Sequence, residues 1–283
     1  MAIRSTTQID STGSMRKFTS VSDSEKINGL SKSDTSAWSN VSDATDWWYQ
    51  IKEKKWSAQN DTLMPYIDSL KAGYNLANGA FLTDFTGDYD LTNNGTATNT
   101  NDGKNGYCVT LNGSSQSLSV SVEDKNLNVG SGAWAQSIWA FTASPGTIMV
   151  LWSVYDGAND AQFLRIDGSG ANLKYYINES GTPQGFDQAY SFPTSTWTHV
   201  VAAGLNGTVY LYAQGALLGS QAMDAPLAGT TMYYGVRGGG GTQYWSGRLD
   251  EPYRFIDPPF TDAASITTFV SALYNGGTGA FLV

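Results

Sequence analysis

Asp84, Asp88, Asp90 and Asn93 fall within ten residues of one another. Such a density of hard oxygen donors suits calcium, which takes six to eight oxygens from carboxylates, amides and backbone carbonyls. The same residue types equally serve Asx turns, in which the side chain bonds nearby backbone. Tyr233, Tyr234 and Tyr244 flank the Gly238–Gly241 run. Aromatic surface beside a pliant polar loop is what a sugar site needs, so these three tyrosines are the candidate glycan contacts. The nearest approach to a pair of catalytic carboxylates is Leu249-Asp250-Glu251-Pro252. Adjacent residues of a strand point to opposite faces, which does not set two acids across a glycosidic bond. No Ser-His-Asp set, phosphate loop or dinucleotide motif accompanies the single histidine, His199, and an enzyme is not expected. Trp38, Trp47, Trp48 and Trp56 cluster within 19 residues. They either pack on the neighbouring domain or anchor the chain to a partner or a second copy, as clustered aromatics do at interfaces.

From Gly73 onward, strand-like runs alternate with turn signals every 8–15 residues. The strands are expected at 107–111, 117–122, 133–141, 148–155, 161–166, 173–177, 197–203, 208–213, 216–222, 232–236 and 244–255. Asn93-Asn94-Gly95, Asp102-Gly103, Asn112-Gly113, Asp156-Gly157, Asp167-Gly168 and Asn206-Gly207 supply residues that tolerate positive φ. Many short strands joined by such turns predict an all-β, two-sheet antiparallel sandwich, with Trp139, Trp152 and Trp197 in its core. One helix is signalled. Thr261 or Asp262 caps it, Ile266, Phe269, Val270 and Leu273 form its apolar stripe, and Gly276-Gly277 ends it. Residues 1–36 are too polar for a core and read as an extended arm. Asp43–Lys55 suits a short helix with a basic last turn, although its Trp47, Tyr49, Ile51 alternation also suits a strand.

The 283 residues carry 16 Lys+Arg against 25 Asp+Glu, a net charge of −9. Residues 71–283 hold 8 basic and 16 acidic residues, so most of the negative charge lies there. That excess argues against nucleic acid as a partner. A single cysteine, Cys108, permits neither an intrachain disulfide nor a thiolate zinc cluster. The first residues lack the roughly 7–15-residue apolar core of a secretory signal. No apolar stretch approaches the ~18 residues needed to insert in a membrane.

Taken in order, several motifs resemble those of a laminin-G-like domain. Gly73-Tyr74-Asn75-Leu76, Leu82-Thr83-Asp84-Phe85-Thr86-Gly87 and Tyr89–Gly95 are similar to its first strand and following loop. Gly103–Gly106 with Val109-Thr110-Leu111-Asn112-Gly113 resembles the next strand pair. Trp197-Thr198-His199-Val200-Val201 with Val209–Gly215 resembles its most recognisable hairpin, with Gln214 where Asn is commoner. Trp245–Glu251 and Leu273–Gly277 resemble the last strand and closing helix. Residues 73–283 are thereby identified as a laminin-G-like jelly-roll sandwich of the concanavalin A-like lectin/glucanase superfamily, and residues 1–72 as an N-terminal arm and Trp-rich anchoring segment outside it.

The resemblance implies calcium on Asp84 and Asp250, with Asp88, Asp90 and Asn93 alongside, and it places His199 in a structural strand. It says little about role, because one fold serves many functions. A laminin-G-like domain without a secretory signal is expected in a bacteriophage virion protein, made in the host cytoplasm. Residues 1–72 would then bind other virion proteins, and the sandwich would adhere to host-surface glycans as a capsid decoration or a head or tail fibre component. A bacterial extracellular or cell-surface carbohydrate-binding protein is the alternative, and a glycan-degrading enzyme ranks third. A homo-oligomer is compatible with the arm and its aromatic cluster.

Overall fold

Alternation of apolar and polar residues dictates the architecture, since a strand that buries every second side chain needs a second sheet to cover that face. A computed structural model describes residues 61–122, 127, 132–157, 160–179, 182–224, 228–238, 241–280 and 282. The polar arm, the Asp43–Lys55 segment and the anchoring residues Trp38, Trp47, Trp48 and Trp56 lie outside the described residues. The chain divides into two compact units, Met1–Met64 and Pro65–Val283. Of the first, only the opening of a 3-10 helix over Asp61–Ser69 is described.

Among the described residues of the second unit, fifteen strands follow: β1 (Leu70–Gly73), β2 (Thr92–Asn94), β3 (Thr98–Gly103), β4 (Gly106–Asn112), β5 (Ser117–Ser121), β6 (Trp134–Phe141), β7 (Met149–Tyr155), β8 (Asp160–Ile166), β9 (Asn172–Glu179), β10 (Thr182–Ala189), β11 (Thr198–Leu205), β12 (Thr208–Ala213), β13 (Ala216–Ala222), β14 (Thr231–Tyr234) and β15 (Ser246–Ile256). They form two antiparallel sheets. One has eight strands in the order β13-β12-β11-β6-β15-β4-β3, with β1 paired to β15; the other has seven, β10-β9-β8-β7-β14-β5-β2. All eleven expected strands are present. The four additional ones, β1, β2, β3 and β10, are short, polar or broken by Pro and Gly, and three of them lie at sheet edges, where such composition is tolerated. Leu70–Gly73 pairs with Tyr253–Phe255, so the strand system starts ahead of residue 73.

The core lies between the inward rows. Across the seven-stranded sheet, Phe186, Tyr175, Leu164, Trp152, Tyr234 and Leu118 stand in register and are all buried. Ile138, Val200, Leu211 and Leu249 face them from the other sheet. Trp152 is in this core as expected. Trp139 is buried instead on the opposite side of its sheet, against His199 and Tyr274. Trp197, expected in the core, is only half-buried and tilts over Phe141, because it sits in the turn before β11.

Helix α1 (Ala263–Tyr274) packs on the outside of the eight-stranded sheet, Phe269 edge-on to Phe255 at 4.9 Å and Tyr274 stacked on Trp139 at 5.9 Å. Its buried residues include Ile266, Phe269, Val270 and Leu273, the stripe read from the sequence. Asp262 Oδ1 accepts from Ser265 N at 2.7 Å while Ser265 Oγ accepts from Asp262 N, a reciprocal cap. Asp262→Ala is expected to cost about 1 kcal/mol, read as a lower urea midpoint with an unchanged slope.

Candidate functional site

The outward face of the seven-stranded sheet follows from the same register. One row runs Gly185, Tyr176, Phe163, Ser153, Tyr233, Ser119, Thr92, each residue the direct cross-strand neighbour of the next. A shorter second row carries Asp187, Lys174 and Arg165. Where the other sheet is covered by α1, no described helix packs here. Phe163 and Tyr176 stack at 4.5 Å and 13° between ring planes.

The described parts of the connection after β14, Gly235–Gly238 and Gly241–Trp245, meet this face. Ser153 Oγ donates to Val236 O at 2.9 Å and accepts from Gly238 N at 3.0 Å, so a buried serine pins the loop. A Cβ on Gly238 would stand 2.6 Å from Tyr155 Cβ, so only glycine allows that approach. The loop delivers Arg237 and Gln243 to the aromatic pair. Arg237 Cζ lies 5.6 Å and Arg165 Cζ 5.4 Å from the Phe163 ring centroid, and Arg165 Nη1 donates to Gln243 Oε1 at 3.2 Å. Burial pulls the Arg165 pKa below its ordinary value, and the neighbouring Arg237 charge adds to this.

Of the expected glycan contacts, Tyr233 lies in the outward row and is half-buried, and Tyr244 is half-buried in the loop. Tyr234 does not belong with them. It is 1% exposed and packs edge-on to Tyr74 inside the sandwich, because neighbours on a strand face opposite ways and Tyr233 takes the outside. Phe163, Arg165, Arg237 and Gln243 were not singled out from the sequence. The signal lay in the alternation of Phe163-Leu164-Arg165 and Lys174-Tyr175-Tyr176, which pairs these residues on one face once the register is known.

The expected calcium set is differently employed. Asp84 is 1% exposed. Its two oxygens accept from Gly73 N, Thr86 N, Thr86 Oγ1, Asp88 N and Tyr89 N at 2.5–3.3 Å. Asp90 Oδ1 accepts from Asp84 N, and Asn93 Oδ1 from Ala97 N. Asp88 is exposed, and Asp250 binds the Lys104–Asn105 turn instead. Among the described residues, no three His, Cys, Asp or Glu side chains are disposed to hold a metal ion. This donor set is that of an Asx-closed loop and does not fit resident calcium.

Asp250 and Glu251 do not point to opposite faces as the sequence suggests. A bulge between Asp250 and Tyr253, with Glu251 at φ 45°, turns both carboxyls toward one turn. Asp250 Oδ2 accepts from Lys104 N at 2.7 Å, and Glu251 Oε1 from Asn105 Nδ2 at 2.8 Å. Both are 1% exposed, which leaves no room for a substrate between them. His199 shares a 2.8 Å hydrogen bond with Ser137 and is buried beside Trp139; burial, with Lys104 second, pushes its pKa down to about 3. Burial raises the Cys108 thiol to about 12, so it is not a thiolate near neutrality.

The sequence profile of a laminin G family in the Concanavalin A-like lectin/glucanases superfamily matches residues 112–255, just over half of the chain, and the chain belongs to that superfamily. No curated protein is recognisably similar to it in sequence. The fold is shared with the ligand binding domain of botulinum neurotoxin serotype D in complex with N-acetylneuraminic acid, at TM-score 0.59 and 15% identity over 74% of this chain and 52% of that one. It is also shared with the binding domain of Paraclostridial Mosquitocidal Protein 1, at TM-score 0.58 and 12% identity over 74% of this chain and 52% of that one. This chain thus spans about half the length of those domains. Domain 4 of AbnA, a GH43 extracellular arabinanase from Geobacillus stearothermophilus solved with arabinotriose, matches at TM-score 0.54 and 21% identity, over 71% of this chain and 98% of that domain.

Proposed function

We propose that this member of the concanavalin A-like superfamily is a non-enzymatic glycan-binding module whose binding surface is the outward face of the seven-stranded sheet. The observation that carries the reading is the outward row in which Tyr176 and Tyr233, both half-buried, stand on either side of the buried Phe163 and Ser153, with Arg165, Arg237 and Gln243 set around it. Flat aromatic surface takes the apolar face of a sugar ring, and fixed polar groups take its hydroxyls. Two of the neighbours described above are binding domains, one of them in complex with N-acetylneuraminic acid, and the arabinanase domain is in complex with arabinotriose, which supports the reading. Burial of Asp250, Glu251 and His199 supports the non-enzymatic part of it.

The setting we propose is display on a virion, with residues 1–72 engaging other virion proteins. Support comes from the sequence alone, from the polar arm of residues 1–36 followed by four Trp within 19 residues. Titration of the full chain with an oligosaccharide panel tests the binding reading. Saturable binding, weakened at least tenfold by Tyr176→Ala and unchanged by Trp197→Phe, is expected. Binding of no saccharide by the folded protein, or turnover of any, would overturn it.

A further inference from the structure

We propose that the sandwich binds a halide-sized anion in its interior, at Arg254 Nη1, between the two sheets. The site is separate from the glycan face and stands whether or not that face binds a sugar.

Past the bulge in β15, Phe255 turns outward against Phe269 of α1, so its neighbour Arg254 turns inward. There its guanidinium lies 5.7 Å from the Trp134 ring centroid and 5.6 Å from that of Trp152, and the residue is 0% exposed. A buried charge is costly unless it is paired, yet among the described residues no carboxylate pairs with this one. Nε and Nη2 both donate to Leu127 O, at 3.2 and 3.1 Å, and the ionisable groups acting on the guanidinium are Tyr234 and Tyr175, which are neutral near pH 7. Burial lowers the Arg254 pKa only to about 10, so the charge persists at neutrality. Two indole faces and one carbonyl offset part of it. Nη1 makes no hydrogen bond within the protein.

The polar groups around Arg254 are short of acceptors as well. Trp152 Nε1 and Gln162 Nε2 are buried without partners. Gln162 belongs to the same cluster, since its Oε1 accepts from the Tyr175 hydroxyl at 3.0 Å and Tyr175 packs on both Trp134 and Trp152. The one acceptor left over is Oε1 of Gln136, the cross-strand neighbour of Arg254, and the Tyr234 hydroxyl interacts with that side chain. Donors therefore outnumber acceptors around a charge that nothing neutralises. A water molecule would bring two further donors and no charge, whereas an anion accepts from every side and supplies the missing charge. All the residues named in this cluster are at most 3% exposed, and so tight an enclosure selects a monatomic anion over a carboxylate or a phosphate.

The full chain, refolded from denaturant in sodium chloride or in sodium gluconate of equal ionic strength, tests this, because gluconate is too large to enter. The melting temperature of the parent is expected to rise with chloride, by roughly 3–5 °C for each tenfold increase above the dissociation constant. Arg254→Met should show no such rise, and comparison with it removes general salt effects. Bromide gives a second readout that needs no variant: crystals grown in bromide should show an anomalous peak within hydrogen-bonding reach of Arg254 Nη1. Where Arg254→Met does not fold, that peak decides. Equal melting temperatures of the parent in chloride and gluconate would overturn the proposal. So would a chloride effect that persists in Arg254→Met, which places the ion elsewhere, or density at Nη1 without an anomalous signal, which is water alone.

Discussion

Asp84→Ala is expected to lower stability by about 3–5 kcal/mol, among the largest losses available to a single polar substitution in this chain. One buried carboxylate accepts five hydrogen bonds and ties β1, through Gly73 N, to the loop that runs through Thr86, Asp88 and Tyr89. Each buried donor left without an acceptor costs about 1–3 kcal/mol, and several would be left together. Asp84→Asn keeps the shape and one acceptor oxygen, so roughly half the loss is expected. Urea denaturation measures both. Adding millimolar calcium to chelator-treated parent protein should leave the melting temperature within error, since protein donors already fill the oxygens a cation would need. A calcium-dependent rise in melting temperature would show that the loop rearranges around an ion and would contradict this account of Asp84.

Stability is expected to fall as pH rises, in contrast to proteins dominated by paired surface carboxylates. Burial raises Asp250 to about 7 and Glu251 to about 8, the charge of Asp250 adding to the shift of Glu251. The fold therefore favours their protonated forms, whereas in the unfolded chain they ionise near pH 4. Their contribution is complete below about pH 4 and is lost progressively as pH climbs through about 7 and about 8, a loss of a few kcal/mol at ~1.4 kcal/mol per unit. Asp167 acts in the opposite sense at the acid end. Hydrogen bonds from Asn172, then Ser169, hold it down at about 2, so its contribution fades as pH falls below about 4. Glu251→Gln keeps the acceptor for Asn105 Nδ2 and removes the charge. It should flatten the profile between about pH 4 and about pH 8 and raise stability above that range by about 2 kcal/mol or more. A parent profile that is flat or rising over that window would contradict the protonated state of the pair.

The fold was legible because its strands announce themselves through alternation and its turns through Asn-Gly and Asp-Gly. What escaped was whatever long-range pairing decides. Thr98-Asn99-Thr100-Asn101-Asp102-Gly103 has no apolar residue, and becomes a strand only because β4 offers it hydrogen bonds. Tyr233 and Tyr234 must face opposite sides of a strand, but which side is the core depends on a register that pairs Tyr234 with Trp152 and Leu118. Asp250 and Glu251 follow the same rule of alternation until a bulge, invisible in composition, breaks it. The cationic and aromatic face was the least legible feature. Its members come from β8, β9 and a loop more than 60 residues further along, and only the sheet brings Phe163, Tyr176 and Arg237 together. Chemistry assembled from isolated residues leaves no local motif. The acidic loop misled for the converse reason: Asp84, Asp88, Asp90 and Asn93 are close in sequence, yet oxygens of Asp84, Asp90 and Asn93 accept from backbone and Thr86 donors, and Asp88 is exposed.

The most direct test of the central claim is to map where a bound oligosaccharide perturbs the full chain, by amide chemical shifts or hydrogen exchange. The account predicts protection and shifts confined to the outward face of the seven-stranded sheet, centred on Phe163, Arg165, Tyr176 and the Arg237–Gln243 loop. Perturbation centred on the Asp84–Asn93 loop or the Lys104–Asn105 turn, with this face silent, would contradict it.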